Sequence, residues 1–428
     1  MRSPRATLLI AIPLWAFTAG ATVLWQRTHD PFCDGQRLSA WVGQLADERP
    51  EIREASASEC RKLGAQAVPA LARALRIKDS RIRSALIRWT RNLPGWHFRS
   101  LDSPRLRAQA AGVLSHLGGA AYGAAPELTA ALGDPSTFVA DRSQEALQAI
   151  GSPAKPTLVN ALTAQNPNIR RRAAETLGAT PEAGEAVALA LADALDDSEI
   201  SVRRAAARSI GRLILVPEVA VPALGRRLAD SSGSVREECA VALNRFGPLA
   251  SAAALELVTA MSDNSDGVRI AAANALGKIG MDAPHAAISA LMKNLDHPSS
   301  LVRSSSALAL GRIGPQAFEA TTRLALSLKD PDGATRAEAA RALGKIGLAA
   351  AESVPSLEQA LNDDIPATRA SAAEALGKIG DAARISVPAL IRAWNNDHSG
   401  IGHAVLAALR QLTPDVAAQL SNTEGEMR

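Results

Sequence analysis

Near the C-terminal end of the chain, apolar residues follow Arg369 at Ala372, Ala373, Leu376 and Ile379, offsets of 3, 4, 7 and 10. Those offsets trace one face of an α-helix, so the spacing predicts a helix that buries that face. Gly380 follows the last apolar position, as Gly280, Gly314 and Gly347 follow theirs. A glycine there stops a helix by adopting a left-handed backbone that other residues resist. Shorter helices alternate with these: Val387-Pro388 opens one through Leu390 and Trp394, and Val68-Pro69, Val221-Pro222 and Val354-Pro355 open others. Proline suits a first turn because its missing N–H has no partner to lose there. No alternating, strand-like stretch of useful length occurs. The pattern is all-α.

The same unit recurs from end to end. An apolar residue followed by Arg appears at Ile52-Arg53, Ile82-Arg83, Leu106-Arg107, Ile169-Arg170, Val202-Arg203, Val235-Arg236, Val268-Arg269 and Val302-Arg303. Thr335-Arg336 and Thr368-Arg369 continue the series, with Arg142 as a weaker member. From Arg170 onward the successive intervals are 33, 33, 33, 34, 33 and 33, and one more step of 33 from Arg369 reaches Gly402. Such a period means stacked supersecondary units, about twelve of them here. The register is looser early on. Leu93-Pro94-Gly95-Trp96-His97-Phe98 cuts short the first helix of the third unit, and the turn around Phe138–Arg142 reads as longer than usual.

The string from Thr368 to Gly380, TRASAAEALGKIG, flanked by Val-Pro-x-Leu helices, resembles a HEAT repeat. The resemblance covers roughly Leu38 to Leu412. It implies a right-handed α-solenoid with first helices on the convex side and second helices on the concave side. The Asp–Arg ladder of that family is present at Asp47/Arg53, Asp197/Arg203, Asp230/Arg236, Asp263/Arg269, Asp330/Arg336 and Asp363/Arg369, each six apart. Asp296/Arg303 is seven apart. Stacked turns are expected to bring an Asp of one unit to the Arg of its neighbour. Each such pair, if mostly exposed, is worth roughly 0–1 kcal/mol.

Composition narrows the picture. The 428 residues are 47% hydrophobic but only 3% aromatic. That leaves a core of Ala, Leu, Val and Ile and excludes a disordered chain. Three cysteines exclude a disulfide scaffold, although a Cys33–Cys60 bridge is compatible with an oxidising compartment. Arg2 and Arg5 precede the uncharged run Ala6–Trp25, about the length that crosses a bilayer. Residues 1–27 therefore read as a signal-anchor, or as a signal peptide cut after Ala21. Both place the array on the outer side of the membrane, tethered or secreted. Residues 28–37 read as a linker, 38–412 as the repeat array and 413–428 as a polar C-terminal tail, loose from Ser421 to Arg428.

Chemistry is sparse. HEAT-type hydroxylases use His-Glu pairs, and none of the seven histidines is followed by Glu. Cys33, Cys60 and Cys239 form no zinc-ligand spacing, and the pattern places Cys60 and Cys239 in the core. No phosphate loop or nucleophile elbow occurs, and the sequence calls for no cofactor. A net charge of +4 is a weak field for nucleic acid. Two features stand out. The aromatic group Trp89, Trp96, His97 and Phe98 either plugs the register break or anchors a partner. The second is a column nine residues after the marker Arg: Arg212, Arg245, Lys278, Arg312, Lys345 and Lys378, with Lys62 an isolated early member. Those cations either complement helix dipoles or dock an acidic partner. The reading is an exported, non-catalytic scaffold that binds a protein or peptide on its concave face. A lyase-like accessory module and a nucleic-acid-binding array are the alternatives.

Overall fold

The computed structural model describes residues 30–77, 103–180, 184–283, 285–396 and 401–426. The Ala6–Trp25 run, the Ala21 cleavage point, the break at Leu93–Phe98 and the aromatic residues Trp89, Trp96, His97 and Phe98 lie outside them. The chain divides into two compact units, Met1–Glu182 and Ala183–Arg428.

In the first unit, strands β1 (Phe32–Cys33) and β2 (Gln36–Arg37) precede the helices α1 (Leu38–Gln44), α2 (Pro50–Leu63), α3 (Val68–Leu75) and α4 (Ser103–Leu117). The helices α5 (Ala125–Ala131), α6 (Thr137–Ile150), α7 (Lys155–Ala161) and α8 (Pro167–Leu177) complete what is described there. The second unit opens with α9 (Glu185–Ala194), α10 (Ile200–Leu213), α11 (Pro217–Arg227), α12 (Gly233–Phe246), α13 (Ala254–Ala260) and α14 (Asp266–Ile279). It continues through α15 (His285–Asn294), α16 (Ser300–Ile313), α17 (Thr321–Ser327), α18 (Gly333–Ile346), α19 (Val354–Ala360) and α20 (Pro366–Ile379). It ends on α21 (Val387–Asn395), α22 (Gly402–Leu412) and α23 (Pro414–Glu426).

The helical core is the one the spacing dictates. Leu376, Leu343, Leu310, Leu276 and Leu243 are all fully buried, and Cys60 and Cys239 are buried as well. Gly280, Gly314, Gly347 and Gly380 end their helices with φ between 69° and 80°. Their ψ values, near −129° to −143°, put them in the mirror-extended region rather than in the left-handed helix expected. That region is open to glycine almost alone, because a Cβ would clash with the backbone.

Four further expectations change. The supposed linker carries the β1–β2 hairpin, made by Asp34 and Gly35, which both have positive φ (46° and 76°). The polar C-terminal segment is helical through Glu426: α23 follows directly on α22 and buries Ala417. Val221-Pro222 does not open a helix, since Pro222 lies inside α11. The turn before α6 is not lengthened: one full period after Arg107 comes the buried Ala140, which holds the marker position instead of Arg142. Arg142 lies just beyond it, paired with Glu145 and stacked 5.5 Å from the Phe138 ring. The three cysteines are free thiols.

Second helices pack directly on one another in the order α10, α12, α14, α16, α18, α20, α22. Glycine sets their separation. A Cβ on Gly211, Gly277, Gly311, Gly344 or Gly377 would lie 2.7–2.9 Å from the Cα of Ala242, Ala309, Ala342, Ala375 or Ala408 respectively. Given a Cα cylinder radius near 2.3 Å, the axes there are no more than about 9 Å apart. The partner alanine always comes just short of one period later, so the helices run parallel and in register.

This contact makes a helix-stabilising substitution harmful. Gly344→Ala gains helix propensity worth about 1 kcal/mol, but drives a methyl onto the Ala375 backbone and should destabilise by about 1–3 kcal/mol net. Gly112→Ala, inside α4 with nothing within 4 Å, should stabilise by about 0.4–1 kcal/mol. Urea unfolding of the two variants measures both signs, and equal effects would remove the close contact as the reason for Gly344.

Candidate functional site

From α10 to α20 most of the second helices begin at the buried Asp–Arg ladder, and all of them end at the exposed cation column. At the first end, Arg203 Nε and Nη2 donate to the two carboxylate oxygens of Asp230 at 2.8 and 3.0 Å. Arg236 does the same to Asp263 (2.6 and 2.9 Å), Arg303 to Asp330 (2.7 and 2.8 Å) and Arg336 to Asp363 (2.7 and 2.9 Å). Arg107 makes the same fork to Asp134, at 2.7 and 3.2 Å. All these partners share a separation of 27, one unit to the next. The six-apart relation is a different bond: Arg203 Nη1 donates to the backbone carbonyl of Asp197, and Arg236, Arg336 and Arg369 donate likewise to Asp230, Asp330 and Asp363.

The ladder is not mostly exposed. The Arg203 and Asp230 side chains retain 9% and 2% of their exposure. Burial alone would raise the Asp230, Asp263 and Asp363 carboxyls, but the guanidinium of the preceding unit and a backbone amide two residues on outweigh it and hold all three below the usual range. The Arg107–Asp134 rung escaped the sequence pattern because Ala140 stands where its own unit's Arg would be. The spacing of 27 was the signal that could have found it.

One rung is different. Where the turn is one residue longer, His297 takes the ladder position, and its Nδ1 accepts from the Ser299 amide at 3.1 Å as Asp230 does from Ser232. An imidazole offers no carboxylate fork. Arg269 instead binds the Asp266 carboxylate and the Asp263 carbonyl, and its buried Nε has no hydrogen-bond partner among the described residues. Asp296 turns away to pair with Arg323.

At the other end, Arg212, Arg245, Lys278, Arg312, Lys345 and Lys378 occupy the last turns of α10, α12, α14, α16, α18 and α20, all exposed. In-register packing puts them side by side. Lys378 lies 3.5 Å from Glu374; among the described residues the other five have no ion-pair partner. Cations nearer the middle of the same helices are neutralised: Arg208 by Glu238 at 2.7 Å and Arg341 by Glu338. Lys62 is paired with Glu59 at 2.5 Å and stands apart from the row.

Nothing among the described residues assembles a metal site from three or more His, Cys, Asp or Glu. Burial pushes the Cys60 thiol up to about 11, and Cys239 higher, which suppresses thiolate chemistry at both. A cleft of about 710 Å³ in the first unit is lined by Leu75, Arg76, Arg107, Glu127 and Asp134. Its charges are already matched, Arg76 with Glu127 and Arg107 with Asp134.

The ladder has a pH signature. A carboxyl whose folded pKa is depressed contributes stability above its unfolded pKa, near 3.9, and loses it as pH falls through the folded value. Asp263→Ala should cost about 3 kcal/mol at pH 7 by stranding the part-buried Arg236. The gap to wild type should narrow below about pH 4. Urea unfolding at pH 7 and pH 3 reads this, and a pH-independent gap would exclude the ladder as its origin.

Comparison with known proteins agrees with this architecture. No curated protein matches the chain. Among solved structures, importin beta in an ammonium sulfate condition aligns over 87% of this chain and 60% of its own length, at 14% identity and TM-score 0.50. An engineered protein aligns over 80% of this chain and 98% of its own, at 20% identity and TM-score 0.46. The importin likeness speaks to fold alone, and the chain spans about three-fifths of that protein. The sequence profile described as HEAT repeats matches residues 97–178, 125–211, 188–260, 255–324 and 320–410 in overlapping stretches. With most of its length so matched, the chain belongs to the HEAT-repeat family.

Proposed function

We propose that this protein is a non-catalytic scaffold that binds a protein or peptide on the face made by its second helices. The observation that carries the reading is the parallel, in-register run of helices from α10 to α20. It offers one surface, repeated at about 8–10 Å, with no break in backbone direction. Stacked repeats need their inner layer for cohesion, so the outward positions of the second helices are free to vary with the partner. The solenoid likeness to importin beta supports the fold on which the reading rests. The lyase-like alternative has only the spelling of the helix end behind it. The nucleic-acid alternative lacks interleaved aromatic side chains on the cation row.

A photocrosslinking residue placed at Val241 or Leu308, four residues before Arg245 and Arg312 on the same helix face, should trap one discrete partner in the native cell. The same residue at Leu255 or Leu326, both 66% exposed on first helices, should not. Equal trapping at all four positions would remove the second-helix face as the docking face.

Arg2 and Arg5 ahead of the uncharged Ala6–Trp25 run support export, with the array tethered outside the membrane. Among the described residues no helix is long and apolar enough to cross a membrane. A reporter enzyme fused after Arg428 should be active only on the outer side. Cytoplasmic activity would overturn export.

A further inference from the structure

The cation row has a geometry beyond its charge. Arg212, Lys278, Arg312 and Lys345 each directly follow the glycine that lets the next helix approach, and Arg245 follows Asn244 in the same register. Where that residue is glycine, it sets the helix spacing and therefore the cation spacing as well, at about 8–9 Å per rung. Arg245 shows the coupling directly, since its Cδ lies 3.6 Å from where a Cβ on Gly211 would be. Five such rungs carry no acidic partner among the described residues, whereas Arg208 and Arg341, one turn earlier on their helices, do. Each rung sits at the negative end of its helix, which lowers the field it projects but fixes its place.

From this we infer that the row Arg212–Arg245–Lys278–Arg312–Lys345 seats an acidic polypeptide segment in extended conformation, crossing the helices with one carboxylate per rung. The inference rests on the second-helix face being the docking face, and it names the partner's chemistry. The argument is one of pitch. A polyproline-type chain has about three residues per turn, so every third side chain falls on one face and advances about 9.3 Å. An acidic residue at every third position keeps step with rungs about 8–9 Å apart over several units. An α-helical partner does not: its turns recur at about 5.4 Å, so carboxylates on one face fall out of phase with the row. Duplex DNA, with a charge every ~1.7 Å of axis, has no reason to prefer this pitch. At physiological salt the screening length is about 8 Å, so each carboxylate feels chiefly its own rung, and spacing rather than total charge decides the fit.

The test uses the full chain in mild detergent and two fluorescein-labelled peptides of equal length and the same composition. One carries Glu at every third position in a Ser/Pro background; the other gathers the same Glu residues into one run. Fluorescence anisotropy should show the spaced peptide binding at least about fivefold tighter than the clustered one. The variant R245Q/K278Q/R312Q/K345Q should lose at least about tenfold for the spaced peptide, with a shallower salt dependence. All four side chains are exposed, so circular dichroism should be unchanged. A second variant that exchanges Arg and Lys at the same four positions keeps the charge and should keep the binding. Undiminished binding by the glutamine variant overturns the inference, and so do equal affinities for the two peptides. Tighter binding of a short DNA duplex through the same four residues overturns the polypeptide as the ligand. If a partner still crosslinks to Val241 and Leu308 in the glutamine variant as in wild type, the docking face stands and this inference alone fails.

Discussion

The close glycine–alanine approach between neighbouring second helices, absent only where Asn244 stands in α12 among the helices from α10 to α22, is the constraint on which the rest depends. A glycine on one helix and an alanine on its neighbour remove the side chains that would hold two backbones apart, at Gly277 and Ala309 and again at Gly311 and Ala342. With so few aromatic residues, the chain cannot fill wide gaps between helices, and its Ala- and Leu-rich composition makes sense only if the gaps are narrow. The contact also fixes phase. Two helices that touch through a single glycine cannot slide by a turn without bringing a side chain against the backbone.

Register, once fixed, determines where charge goes. At the start of α4, α10, α12, α16 and α18, a fork such as that from Arg203 to Asp230 joins one unit's helix to the next unit's turn. Those charges are consumed by the fold. They are buried, mutually satisfied, and tied by a third donor to the backbone of their own turn. Removing one partner would leave the other stranded, which is why the ladder acts on stability more than a surface pair would. At the far end the same register lines up cations that the fold does not neutralise. One helix thus separates structural charge from available charge along its own length.

The His297 rung shows how local this logic is. One inserted residue replaces a ladder carboxylate by an imidazole, and the turn survives because Nδ1 accepts the amide that an Asp would accept. The fork does not survive, and Arg269 turns to Asp266 within its own helix. Helix packing on either side is nonetheless continuous, with α14 on α16 and α16 on α18. The glycine contact carries the stacking across a rung where the ion pair is missing, just as α12 and α14 stay packed where Asn244 replaces the glycine and the Arg236–Asp263 fork is present. Steric fit and the ladder therefore support one another, and neither is needed at every rung.

The sequence by itself determined the repeat, its helices and most of its core, because burial of a one-sided helix leaves a periodic record that Leu376 and its counterparts keep legibly. It also singled out the cation column, since identical positions in identical units recur at a readable interval. It pointed to an Asp of one unit meeting the Arg of a neighbour, but not to which neighbour or to a buried fork: the side chain of Asp230 faces Arg203 of the preceding unit, and only the stacking of turns decides that. Nor did it place Ala140, because an alanine at a marker position is invisible to a pattern built on arginine. The hairpin at Asp34-Gly35 is too short for alternation to register. The openness of the row at Arg245, Lys278 and Arg312 was likewise undecided, because a cation's freedom depends on which carboxylates its neighbours have already taken. Those are contacts between units, and periodicity within a unit carries no information about them.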